Sequence, residues 1–377
     1  MISRHSILLG AVLVGALSCA TLVPAPELPV VAPEAGERHF RNIRQLTNGG
    51  ENAEAYFSAN GQKLIFQSTR DGRSCDQQYV MNIDGTGLRR VSNGVGKTTC
   101  GFFYANDERI LFGSSHALQD ACPEKPDPSK GYVWRLDPFD IYTAKPDGSD
   151  PRRLTNYGVY TTEAVVSPDG KRIVFTSLKD GDLDIYTMNI DGTNVRRLTN
   201  SPEWDGLPNW SLDGKKIAFT SWRDGDASIY IMNADGTSAR RLISSSSSSW
   251  MSSWSPDGNY LTFASWTTTD TSEIFVVDSD GNNLTQLTNL NAGSFIPQWS
   301  PDGNKIIFLS NDNRGNNQVN VMNRDGSEVK ALTPGNPIHN AWSPDGQKII
   351  FYTEDGIYIM NSDGSNIRLI RKVSFMC

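Results

Sequence analysis

Apolar and polar residues alternate in short runs along most of the chain, and the runs recur at a fixed spacing. The stretch from Leu207 to Ile243 shows the unit in full. Leu207-Pro-Asn-Trp210 is a first short strand, and Ser211-Leu-Asp-Gly214 is a tight turn whose Asp and Gly tolerate positive φ. Lys215-Lys-Ile-Ala-Phe-Thr-Ser221 alternates with a period of two, as a half-buried strand does. After the loop Trp222-Arg-Asp-Gly-Asp226 come a third strand, Ser228-Ile-Tyr-Ile-Met232, and a second hairpin turn, Ala234-Asp-Gly-Thr237. Arg240-Arg-Leu-Ile243 is a fourth strand, at the edge. No segment has a 3.6-residue period.

The turn marks the repeat. Trp254-Ser-Pro-Asp-Gly258, Trp299-Ser-Pro-Asp-Gly303 and Trp342-Ser-Pro-Asp-Gly346 match Trp210-Ser-Leu-Asp-Gly214 closely. Val166-Ser-Pro-Asp-Gly170 and Phe57-Ser-Ala-Asn-Gly61 are looser copies, and Phe103-Tyr-Ala-Asn-Asp107 is worn. A period of about 44 residues decides the fold before any other reading. Four short antiparallel strands per period are a propeller blade. The fold class is therefore all-β, a seven-bladed β-propeller with four antiparallel strands per blade; six blades is the alternative, because the second unit is irregular. The Trp before each turn is expected to wedge between blades. The pairs Arg89-Arg90, Arg152-Arg153, Arg196-Arg197 and Arg240-Arg241 are expected to guard exposed sheet edges, with an anion-binding stripe as the other reading. The fourth-strand signature occurs eight times for seven blades. Either Ile43-Arg-Gln-Leu-Thr47 or Ile367-Arg-Leu-Ile370 is thus expected to close the ring.

The repeats occupy residues 40–377 and leave a distinct N-terminus. Residues 1–18 have a basic start and an apolar run too short to span a membrane, and they read as a signal peptide. Gly15-Ala-Leu-Ser-Cys19 resembles a bacterial lipoprotein signal, which implies lipid on Cys19; ordinary signal-peptidase cleavage is the other reading. Residues 20–39 are rich in Pro and Ala and read as a semi-extended tether. A net charge of −7 gives no basic face for nucleic acid.

The repeat itself, Trp-Ser-Pro-Asp-Gly, Lys-Ile-x-Phe-x-Ser, Ile-Tyr-x-Met-Asn-x-Asp-Gly-Thr and Arg-Arg-Leu-Thr, resembles the PD40 (WD40-like) repeat of TolB-like propellers over about residues 43–370. The resemblance implies a periplasmic protein that binds protein partners, among them a peptidoglycan-associated lipoprotein. TolB itself has an α/β domain before a six-bladed propeller; here a tether precedes seven turn motifs. The chain thus reads as a lipoprotein variant of the family, a monomer held in the cell envelope by its lipid alone, facing the periplasm from the outer membrane.

The second unit carries 19 extra residues within Ser115–Phe139, between its second and third strands. Such loops share a face with the loops that lead into each first strand, so Tyr132, Trp134, Phe139, His116 and Trp250 form the expected binding face. A self-packed loop is the bland reading. Cys75, Cys100 and Cys122 should lie on the same face, and export favours a disulfide among them; Cys100–Cys122 is the expected pair, with Cys75 the competing partner.

Four residues before each turn Ser stand Glu54, Cys100, Glu163, Leu207, Met251, Ile296 and His339, at the mouth of the central channel. Glu54, Glu163 and His339 are weak candidates for a cation or ligand site; a hydrated channel entrance serves equally, and no metal or other cofactor is expected. No Gly-x-Ser-x-Gly elbow and no trailing hydrolase domain are present. The sequence resembles the seven-bladed oligogalacturonate lyases in its repeat but has one channel His where those have several. The loops Arg70-Asp-Gly, Lys179-Asp-Gly-Asp and Arg223-Asp-Gly-Asp lack the ligand spacing of calcium loops. The expected role is a protein- or peptide-binding scaffold that is not an enzyme, with a carbohydrate-binding or carbohydrate-active propeller as the alternative.

Overall fold

The computed structural model describes residues 30–31, 43–44, 52–123, 135–243, 247–266, 271–290, 292–312, 315–333, 336–353 and 356–369. Seven four-stranded antiparallel sheets follow one another along the chain, each built from one contiguous segment. In blade one the strands are Asn52–Phe57, Lys63–Ser68, Gln77–Asn82 and Arg89–Arg90. The last blade starts at His339–Trp342 and ends at Arg368–Leu369. Neighbouring first strands lie side by side around the whole ring, and blade seven packs against Asn52–Phe57 of blade one. These first strands line the central channel. Of the two spare fourth-strand segments, Arg368–Leu369 completes blade seven, while Ile43–Arg44 pairs with Val30–Val31 of the expected tether and lies beside it.

Stacking changes what the period-two runs mean. In Lys216–Ser221 every residue after the Lys is buried, including Thr220 and Ser221. The second strand of blade three has the same pattern. Each blade is covered on both faces by its neighbours, so the middle strands are not half-buried as their alternation suggests. One aromatic per second strand, Phe66, Phe175, Phe219, Phe263 and Phe308 among them, fills the layer between blades.

The turn is held by its own side chains. Ser167 Oγ accepts the Arg172 N–H at 3.0 Å and donates to Asp169 at 2.5 Å, and blade four repeats this with Ser211, Lys216 and Asp213. The turns also touch one another. A side chain on Gly214 would meet the Pro168 ring of the preceding blade at 3.8 Å, and one on Gly346 would meet Pro301 at 3.6 Å. The worn blade-two turn replaces that contact with a polar one. Ala59 stands where others have Pro and so has an N–H, and the Asp107 carboxylate, in place of the Gly, accepts it at 2.6 Å and the Asn60 N–H at 2.8 Å.

The Arg pairs do more than guard an edge. Arg152 and Arg196 are exposed, but Arg153 and Arg197 bind the fully buried Asp140 and Asp184 that open the third strands. Thr155 and Thr199, which end the Arg-Arg-Leu-Thr motif, donate to the same carboxylates and accept the N–H of Ile141 and Ile185. In blades two and three this lock pins the exit of the blade to its third strand. Replacing Asp184 with Ala strands Thr199 and Arg197. We expect a loss of about 2–3 kcal/mol in chemical denaturation, less than for a fully buried pair because Arg197 is partly solvated.

Candidate functional site at the channel mouth and loop face

Six of the seven channel-mouth residues share a backbone feature. Glu54, Cys100, Glu163, Leu207, Met251 and Ile296 all have positive φ, between 49° and 56°. Each sits where two residues of the first strand oppose one of the second, as in Ala53/Tyr56 and Gly206/Asn209. These are β-bulges of the type that usually takes glycine, here with side chains. Blade seven alone has unbroken register, and its His339 is not in this conformation.

The bulge exposes an amide, and the carboxylates use it. Glu54 accepts the N–H of Cys100 in the next blade at 2.8 Å, and Glu163 accepts that of Leu207 at 2.8 Å. Glu163 also receives Thr176 Oγ1 at 2.7 Å and Tyr160 Oη at 2.8 Å. Burial holds both carboxyls above the ordinary range despite these bonds. Both carboxylates therefore tie blade to blade and are occupied.

His339 is built differently. It stacks on Tyr352 at 5.9 Å and meets Tyr56 edge-on at 5.6 Å, while Tyr56 lies 4.4 Å from Phe102. Burial pushes its pKa down to about 4. The structure does not gather Glu54, Glu163 and His339 into a ligand set. Among the described residues no group of three or more His, Cys, Asp and Glu could hold a metal ion. The Lys/Arg-Asp-Gly loops are likewise closed by their own blades. Asp71 and Asp180 accept Tyr79 and Tyr186 hydroxyls at 2.8 and 2.9 Å, and Asp224 accepts that of Tyr230.

The disulfide joins Cys75 to Cys122, with Cα atoms 5.5 Å apart, and not Cys100 to Cys122. Cys100 lies in the bulge of a first strand, beside Thr99 and with its amide on Glu54, and its thiol is free. Burial holds that thiol far above the ordinary range, so it remains protonated. The bond fastens the blade-two insertion to the neighbouring loop of blade one.

The expected binding face divides in three. Tyr132 and Trp134, like Cys19, lie outside the described residues. Phe139 is buried against Tyr160 and Leu183 and is a core residue, because the chain re-enters the blade there. His116 folds onto Tyr142 at 4.4 Å with Nδ1 2.7 Å from Ser114 Oγ, so it packs within its own blade. Trp250 remains on the rim. It meets Trp266, 40% exposed, at 6.1 Å, and Met251 beside it is 43% exposed. In blade four Trp204 and Trp222 form a second such pair at 5.4 Å. The sequence reading missed Trp204, Trp222 and Trp266. Trp222 and Trp266 each follow the last Ser of a second strand, a repeated position that would have revealed both.

These features define a seven-bladed propeller whose loop-rich rim carries an aromatic patch. The chain belongs to the TolB beta propeller domain family (PD40), whose profile matches residues 152–265 and 244–375, together more than half of its length. TolB from Acinetobacter baumannii is 19% identical, with a TM-score of 0.52, over 83% of this chain and 80% of that one. Oligogalacturonate lyase from Vibrio parahaemolyticus is 13% identical, with a TM-score of 0.64, over 84% and 93%. The β-propeller domain of the Trilobed protease from Pyrococcus furiosus, described as having an open velcro topology, is 10% identical, with a TM-score of 0.64, over 87% and 100%. At these identities the likeness is one of fold. No curated protein matches the sequence.

His339 generates a pH prediction. Its folded pKa lies below the unfolded value near 6.5, so protonation favours the unfolded chain. The stability it contributes is complete above about pH 6.5 and is lost as pH falls towards 4. Glu54 and Glu163, with raised values, act in the opposite sense. Comparison with His339→Phe isolates the histidine. Between pH 7 and 4 the wild type should lose about 2 kcal/mol more than the variant in denaturant melts, a figure discounted because solvent reaches the channel wall. Parallel pH profiles would refute the assignment.

Proposed function

We propose that this protein is a binding scaffold of the cell envelope, not an enzyme, and that its loop-rich face engages a protein or peptide partner. The observation that carries this reading is the exposed Trp266 and Met251 on that face, with half-buried Trp250 beneath Trp266. Aromatic and Met side chains on a rigid frame bury large areas at low conformational cost, the composition of interface hot spots. Family membership supports the same role. The channel carboxylates, each bonded to a neighbouring amide, leave the carbohydrate-cleaving alternative without a free acid–base pair.

Residues 1–18 are read as a lipoprotein signal, Cys19 as the lipidated residue and 20–39 as the tether, which places the propeller in the periplasm at the outer membrane, as a monomer. Among the described residues no helix is long and apolar enough to cross a membrane.

The test is photocrosslinking in intact envelopes from a probe placed beside the patch. Trp266→Ala should reduce the yield of a discrete crosslinked partner at least tenfold, while replacement of residues 124–134 by a Gly/Ser linker, which spares Cys122 and Phe139, reports the part played by the insertion. Unchanged crosslinking in both variants would sink the face assignment. A glycan-array signal lost in Trp266→Ala and not competed by peptide would replace the protein-binding reading with a carbohydrate-binding one.

A further inference from the structure

Each sheet ends towards the channel on its first strand, and the left-handed bulge sits in that inner edge. Two carboxylates show where the bulge directs its backbone N–H. The Cys100 N–H reaches Glu54 and the Leu207 N–H reaches Glu163, each at 2.8 Å. In both pairs the acceptor stands at the same repeat position one bulged edge earlier: Glu54 in blade one serves blade two, and Glu163 in blade three serves blade four. A backbone N–H turned out of its ladder calls for an acceptor, and a carboxylate makes the stronger, charge-assisted bond.

Two consecutive seams have the amide and lack the carboxylate. Met251 and Ile296 hold the bulge position in blades five and six with φ of 56° and 53°, against 50° and 55° for Cys100 and Leu207. The register of the first strand shifts at the same place in all four blades. Matching backbone geometry gives the Met251 and Ile296 N–H groups the direction that the other two have. One blade earlier stand Leu207 and Met251, whose side chains carry no oxygen or nitrogen. Among the described residues no side chain accepts either N–H. The place is open to solvent, with Met251 43% exposed and Leu207 and Ile296 half-buried. The acids of the channel mouth lie in other blades, and Glu273 of blade five is buried and committed to Thr288 and the Leu290 N–H. A negative group arriving here therefore meets amides and apolar side chains.

We propose that the Met251 and Ile296 amides anchor a carboxylate of a partner polypeptide, which takes the place that Glu54 and Glu163 hold in their own seams. The inference rests on the protein-binding reading of the loop-rich face and adds the chemistry of the partner. The chain itself shows the acceptor that this backbone geometry receives. Met251 adjoins Trp250 in the sequence, and Trp250 meets Trp266, so the anchored carboxylate has apolar neighbours in the partner. Its source is a chain terminus or an Asp or Glu side chain, and backbone amides take either.

The test follows the backbone amide protons of Met251 and Ile296 by NMR of the whole protein. The probes are N-acetyl-Leu-Leu with a free C-terminus, N-acetyl-Leu-Asp-Leu-amide, and N-acetyl-Leu-Asn-Leu-amide as the uncharged control. At least one of the two acids should move both protons downfield. The Cys100 and Leu207 protons, already bonded, should stay in place, and the control should move none. A response to the first acid alone identifies a chain terminus, and to the second alone an acidic side chain. Leu207→Glu copies Glu163, so it should move the Met251 proton downfield without ligand and abolish its response. Met251→Glu should do the same for Ile296, which keeps the test decisive if one variant fails to fold. Unmoved protons with both acids, equal shifts with the control, or an undiminished response in the folded variants would each overturn the proposal. A crosslinked partner lost in Trp266→Ala but fully retained in Leu207→Glu and Met251→Glu would overturn the anchor and leave the binding face standing. Downfield shifts with crosslinking unchanged in Trp266→Ala would overturn the aromatic patch instead.

Discussion

Every blade of this protein depends on the blade beside it. The middle strands are buried on both faces, so no sheet is complete until its neighbours are in place, and the stack must close on itself. Closure comes from blade seven packing its second and third strands on the first strand of blade one. The other recurrent contacts serve this stacking. A Trp wedges between blades as Trp210 does, a Pro rests on the next Gly at several turns, and Glu54, Glu163 and Asp107 reach over to a neighbour's backbone.

The same constraint separates structural from available chemistry. Glu54 and Glu163 look like channel ligands in the sequence, yet each is committed to an amide that the next blade's bulge turns towards it. Asp140 and Asp184 are buried anchors for the fourth strands of their blades. What remains open is aromatic: the Trp250–Trp266 pair on the loop-rich rim.

Much of the fold was legible in the sequence because a period is a statement about equivalent positions. Seven turns implied seven blades, and counting back four residues from each turn Ser picked out the residues that adopt the left-handed bulge in six of seven blades. That a Glu or a Met sits there with positive φ was not legible, since propensity assigns such a conformation to Gly or Asn. Nor was the cysteine pairing. All three candidates fall near one rim, but Cys75 and Cys122 meet in their loops while Cys100 sits in a first-strand bulge with its thiol beside Thr99. Phe139 read as a loop aromatic because its burial depends on Tyr160 and Leu183 of the next blade.

The sequence by itself determined the architecture: strand lengths, turns, blade number and the family all follow from local alternation repeated in register. Tertiary structure decided which charged and aromatic groups are free. Their partners lie in an adjacent blade, some 44 residues away along the chain, as Glu163 and Leu207 do. Local pattern carries information about neighbours in sequence, whereas hydrogen bonds and packing across a seam depend on how two blades are placed against each other.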